Sequence, residues 1–242
     1  MDSYESKVLE ELLAWQKEMT KNASLTNNFT KGIQKKLNSI VPEKANIIIT
    51  GSIKNMVKGV IFTCKYISKN PLHSLNLKNR ESIAREKIES YRKAAMLSGA
   101  GTGAGGILLS LADFPILLSL KIKFLFDIAG IYGFDLKNYK ERLYILYIFQ
   151  IAFSSQKRRN EIYNIMSHWN DHSKSLPMNK DDFDWRTFQQ EYRDYIDIAK
   201  MLQMVPGIGA VVGAYANYKL MDKLGNTSMN AYRLRILDNI KN

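Results

Sequence analysis

Apolar residues recur at helical intervals along most of the chain, and no strand alternation is sustained anywhere. Val8, Leu12, Trp15 and Met19 predict one helix, and Ile49, Ile53, Val57, Val60 and Ile61 predict a second. "NIIIT" at 46–50 is the best strand candidate, but it runs directly into that second helical pattern. "KNPLHSLNLKN" reads as a loop, followed by a charged helix over roughly 80–97 with Ala84, Ile88, Tyr91 and Ala95 on one face. Residues 107–132 read as one long apolar helix ended by Gly133, where a left-handed cap fits. Asn138 can cap "YKERLYILYIFQIAF", and a further helix occupies about 157–170 before the loop "HSKSLPMNKDD". Asp184 can start a helix carrying Phe188, Tyr192, Ile196, Ala199 and Leu202, which Pro206-Gly207 breaks. A small-residue helix to about Lys223 and a last basic one from Thr227 complete the pattern. The expected fold is all-α: a single domain over residues 1–242 of about eight helices. Residues 1–40 form an amphipathic helical extension, and 41–242 form the core.

The run "SGAGTGAGGILLSLADFPILLSL", residues 98–120, interrupts this regularity. Gly101, Gly103 and Gly106 fit a dinucleotide-loop spacing, but a charged helix precedes them where a buried strand is needed. Residues 94–120 are long enough to span a bilayer, yet Asp113 near the middle costs roughly 2.5–3.5 kcal/mol on insertion scales and Pro115 interrupts the backbone. A third explanation rests on spacing. Ala100 and Ala104, and Gly101 and Gly105, lie four apart, as do Gly209 and Gly213 in "PGIGAVVGAYANYK" at 206–219. Such stripes let two helix backbones approach closely, so the two segments are expected to pack together as a central pair.

The same stretches resemble a known family. The glycine-rich run leading into Ala112-Asp113-Phe114-Pro115, then Tyr132-Gly133-Phe134-Asp135, then Pro206-Gly207-Ile208-Gly209-Ala210 with Gly213 and Asn217, is similar to the EcsC family. Pro42-Glu43-Lys44 ahead of a valine- and isoleucine-bearing helix resembles that family's start, so the resemblance covers roughly 40–240. It implies a bacterial, cytoplasm-facing helical protein with no established catalytic activity, named from linkage to an ABC-transporter operon.

Charge narrows the choice of partner. Between Lys21 and Lys69 stand nine lysines and one acid, Glu43, in a chain of formal net charge +12. Lys31, Lys35, Lys36, Lys54, Lys58 and Lys65 are the candidate membrane-surface contacts. With no nucleic-acid fold in the pattern, lysines alone do not point to DNA or RNA. The single cysteine, Cys64, fits a reducing compartment, and the acidic N-terminus does not read as a secretory signal.

Candidate chemistry is sparse. A carboxylate in an apolar helix must be paired or hydrogen-bonded, which singles out Asp113, with Asn217, a lysine, or backbone amides exposed by Pro115 or the glycines as the expected partner. The alternative makes Asp113 a head-group or cation ligand. His168 and His172 lie four apart, but without a third ligand they read as capping or exposed histidines and no metal site is expected. No nucleophile–histidine pairing marks a catalytic centre, and no cofactor is implied. Tyr132, Tyr139, Tyr144, Tyr147, Phe149, Trp185, Phe188, Tyr192 and Tyr195 read mostly as core, though their abundance also suits a lipid interface. The leading expectation is a non-catalytic, cytoplasmic protein, peripheral on the inner face of the cell membrane, that binds anionic lipid. An accessory protein of a membrane complex such as an ABC transporter is the alternative, and a membrane-surface hydrolase the remote one.

Overall fold

The computed structural model describes residues 3–21, 43–62, 71–100, 114–184, 186–188, 192 and 210–241. They form α1 (Ser3–Met19), α2 (Glu43–Phe62), α3 (Leu77–Ala100), α4 (Phe114–Ile131), α5 (Tyr139–Phe153), α6 (Gln156–Ser167), α7 (Trp169–Ser175), a 3-10 turn (Lys180–Asp182) and α8 (Ala210–Lys241). The protein is all-α, with no strand among the described residues.

At the centre lies α5. Its sequence is apolar all round rather than along one stripe, and nearly every residue from Tyr139 to Phe153 is buried. Asn138 caps it as expected, its side chain accepting a hydrogen bond from the Lys140 amide. The Tyr144 hydroxyl donates to the Ala231 carbonyl, fastening α5 to α8. Arg142 is buried and donates to the carbonyls of Ile61, Leu136 and Lys137. It thereby satisfies the C-terminal end of α2 and the turn after α4 together, placing those two ends side by side.

The most extensive contact is between α3 and α8, which run antiparallel. Glu81 meets Arg233 near one end, Ile88 meets Gly225 in the middle, and Arg92 meets Asp222 and Tyr218 beyond it. Against α3 also runs α4, again antiparallel: Tyr91 packs edge-on against Phe124, and its hydroxyl donates to Asp127. Asp127 thus serves the helix interface, with Lys87 as a second partner. The expected apolar stripes of α1, α2 and α3 are buried residue for residue, from Val8, Leu12, Trp15 and Met19 to Ala84, Ile88, Tyr91 and Ala95.

Three local expectations change, and the core reading of the aromatics holds where they are described. "NIIIT" is helical, because Ile49 and Ile53 fall on the buried face of α2 and burial outweighs β propensity. The loop expected from His172 starts later, since α7 carries the chain helically to Ser175. The break near Lys223–Thr227 does not exist. Gly225 lies inside the single helix α8, where a β-carbon would come within 2.9 Å of Ile88, so this glycine serves close helix packing. The aromatics weighed for a lipid interface are core wherever they are described: Tyr132, Tyr139, Tyr144, Tyr147, Phe149, Phe188 and Tyr192 are all buried. Gly133 meets expectation, with φ +90° after α4 and the Arg80 guanidinium 3.1 Å from where a β-carbon would stand.

Candidate membrane-facing end and groove

Antiparallel pairing brings the last turn of α3 beside the first turns of α4 and α8. The Arg142 contacts bring the C-terminal ends of α2 and α4 together, so these two helices run parallel and α2 also begins at that end. Six of the ten large exposed apolar side chains among the described residues cluster there. Leu97 is 71% exposed, Ile116 65%, Ile47 65% and Tyr215 61%, with Ile48 and Met96 beside them. Single exposed apolar residues are ordinary, whereas several on helix turns at one end of the bundle make that end a candidate interaction surface. Lys54 and Lys58 on α2, Lys123 on α4 and Lys219 on α8 are exposed. Lys219 lies over the Tyr215 ring, 5.6 Å from its centroid.

A groove of about 410 Å³ opens between α2 and α4. Met56, Val60, Leu118, Ile122 and Phe126 give it an apolar floor, while Ser52, Asn55, Ser119 and Lys123 supply polar atoms.

Deeper in, the Lys121 ammonium is fully buried and donates to the Asn217 side-chain oxygen at 3.3 Å. Burial alone pulls its pKa down from 10.5 to about 8. Asn217 is buried, as its place among small residues implied, and has a lysine against it. Asp113 lies outside the described residues, as do Gly101, Gly105, Gly209, Lys31, Lys35, Lys36 and Lys65. Gly213 falls within α8, but the expected pairing of the two glycine stripes also lies outside the described residues. Sequence reasoning passed over Lys121. Its phase was the available signal, because it shares a helical stripe with Leu117, Phe124 and Ile128.

A second polar cluster was also missed. Glu81 and Arg233 form a buried bidentate pair, both contacts at 2.7 Å. Tyr4 donates to Glu81 at 2.8 Å and Glu11 lies 2.9 Å from Arg233, so α1 is tied to the α3–α8 pair. The i, i+4 spacing of Glu81 and Arg85 was its only trace in sequence. His168 sits at the α6–α7 junction with Nδ1 2.9 Å from the Asn164 carbonyl, and His172 packs on the rings of Trp169 and Tyr147. Among the described residues no group of histidine, cysteine and carboxylate side chains could hold a metal ion, and no helix is long and apolar enough to cross a membrane.

Comparison with known proteins supplies the lineage. Protein EcsC of Bacillus subtilis (strain 168) is 43% identical over 231 residues, covering 95% of both chains. The uncharacterized protein YdbA of the same strain is 29% identical over 223 residues, covering 86% of this chain and 80% of its own. No solved structure matches. The family model described as the EcsC protein family matches residues 6–237, from within α1 to near the end of α8. The chain belongs to the EcsC protein family.

Proposed function

We propose that this protein associates with the anionic inner face of the cell membrane through the end of the bundle where α2, α4 and α8 begin and α3 finishes. The cluster of Ile47, Leu97, Ile116 and Tyr215 on adjacent helix ends carries this reading. Apolar side chains at that end supply contact with the acyl boundary, and exposed lysines supply attraction of roughly 1 kcal/mol each near an anionic surface. No bilayer crossing is needed, in keeping with the absence of a spanning helix among the described residues.

Co-sedimentation with vesicles tests it. Vesicles containing phosphatidylglycerol should bind the protein, pure phosphatidylcholine vesicles should bind it weakly, and added salt should weaken the anionic case. Replacing Lys219, which lies over the Tyr215 ring at that end, with serine should cost roughly 1 kcal/mol, or about fivefold in partition. Equal binding to both vesicles overturns the reading. Binding to native membranes but not to protein-free vesicles replaces the lipid with a membrane-protein partner.

A further inference from the structure

We infer that the groove between α2 and α4 is a binding site for one acyl chain of an anionic lipid, with its head group held at the rim by Lys123. The inference deepens the membrane reading and rests on it for the source of the ligand. Shape is the first support. The α4 lining runs from Pro115 to Phe126, about 16 Å at the helical rise, and its start lies beside exposed Ile116 at the apolar end. The volume of about 410 Å³ falls within the range of small-molecule sites, and an apolar floor with a few polar rim groups is their usual composition. Charge is the second. The exposed Lys123 side chain lines the groove and makes no ion pair with any described residue.

Gly59 is the third support, and it is independent of the others. It lines the groove from the last turn of α2, three residues before Phe62. Nothing in the described fold requires glycine there: its φ is not positive, and a β-carbon added to it would meet no atom within 4 Å. Gly51 and Gly130 are equally open, but of these three glycines Gly59 is the one that lines the groove. A larger residue here would project into the groove, so the glycine keeps its α2 side open to an occupant.

The test uses laurate below its micellar concentration, with dodecanol as the uncharged analogue, in equilibrium dialysis against the full chain. Wild type should take up one laurate saturably. Gly59→Leu should remain folded, with a thermal midpoint at or above that of wild type, and bind laurate at least tenfold more weakly. Lys123→Ser should weaken laurate about tenfold and leave dodecanol unchanged. Vesicle binding measured in parallel separates the two claims. Wild type that binds anionic vesicles but no laurate overturns the groove alone, and wild type that binds laurate but no vesicles overturns the surface reading alone. Laurate uptake unchanged in Gly59→Leu also overturns the groove.

Discussion

Ile88 of α3 lies directly over Gly225 of α8, so close that a β-carbon on the glycine would stand 2.9 Å from two of the isoleucine's carbons. The contact sets how near the two longest described helices approach, and it keeps α8 free of a break where glycine invites one. Gly225→Ala should therefore destabilise the protein by about 1–2 kcal/mol, an overpacking cost partly offset by alanine's better helix propensity. Ile88→Ala should cost about 2–5 kcal/mol alone and clearly less when combined with Gly225→Ala, because the new methyl fills part of the vacated space. Urea unfolding of the two single variants and the double variant measures this coupling.

Glu81 and Arg233 are both buried and satisfy one another bidentately, so the pair stands or falls together. Glu81→Ala leaves the buried Arg233 guanidinium with only Glu11 and Asn230 as partners and should cost about 3 kcal/mol. Tyr4→Phe removes only the hydroxyl that reaches Glu81 and should cost about 1 kcal/mol. That loss should appear as faster hydrogen exchange confined to α1, if the hydroxyl is what fastens this helix.

How much of this was legible in sequence follows from where burial did the deciding. The stripes of α1, α2 and α3 were readable because each buries one face and leaves the other wet. Gly133 and Asn138 were readable because backbone conformation and capping are local properties. Gly225 was misread because its role depends on Ile88, a residue far away in the chain. The same holds for Arg142, which reaches the carbonyls of Ile61 and Leu136, and for Glu81 with Arg233. The burial of Asn217 and the exposure of Lys54 and Lys58 follow from residue type and phase. The groove was not legible in detail, since it exists only where α2 and α4 lie side by side.

Lys121 should leave a pH signature. Its folded pKa lies near 8 and its ordinary value is 10.5, so the unfolded chain holds more protons between these values and stability gains as pH rises through that window. Below pH 8 the buried charge costs about 3 kcal/mol in full. Lys121→Met keeps the volume, removes the charge and takes one donor from Asn217. It should be more stable than wild type by about 1–2 kcal/mol at pH 7, with the advantage closing toward pH 10. Denaturant unfolding of both proteins at the two pH values checks this. A variant less stable than wild type at pH 7 would mean that the ammonium has a stabilising partner of opposite charge.

The most direct test of the membrane-facing end is the depth of a reporter placed on it. Leu97→Trp puts an indole on the exposed apolar end, and Leu13→Trp puts one on the exposed face of α1, which docks against the other half of α3. With phosphatidylglycerol vesicles carrying brominated acyl chains, and wild-type fluorescence subtracted, the indole at position 97 should be strongly quenched and that at position 13 should not. Vesicle-bound protein in which position 97 is unquenched, or in which both positions are quenched alike, would contradict the assignment of this end as the membrane-facing surface.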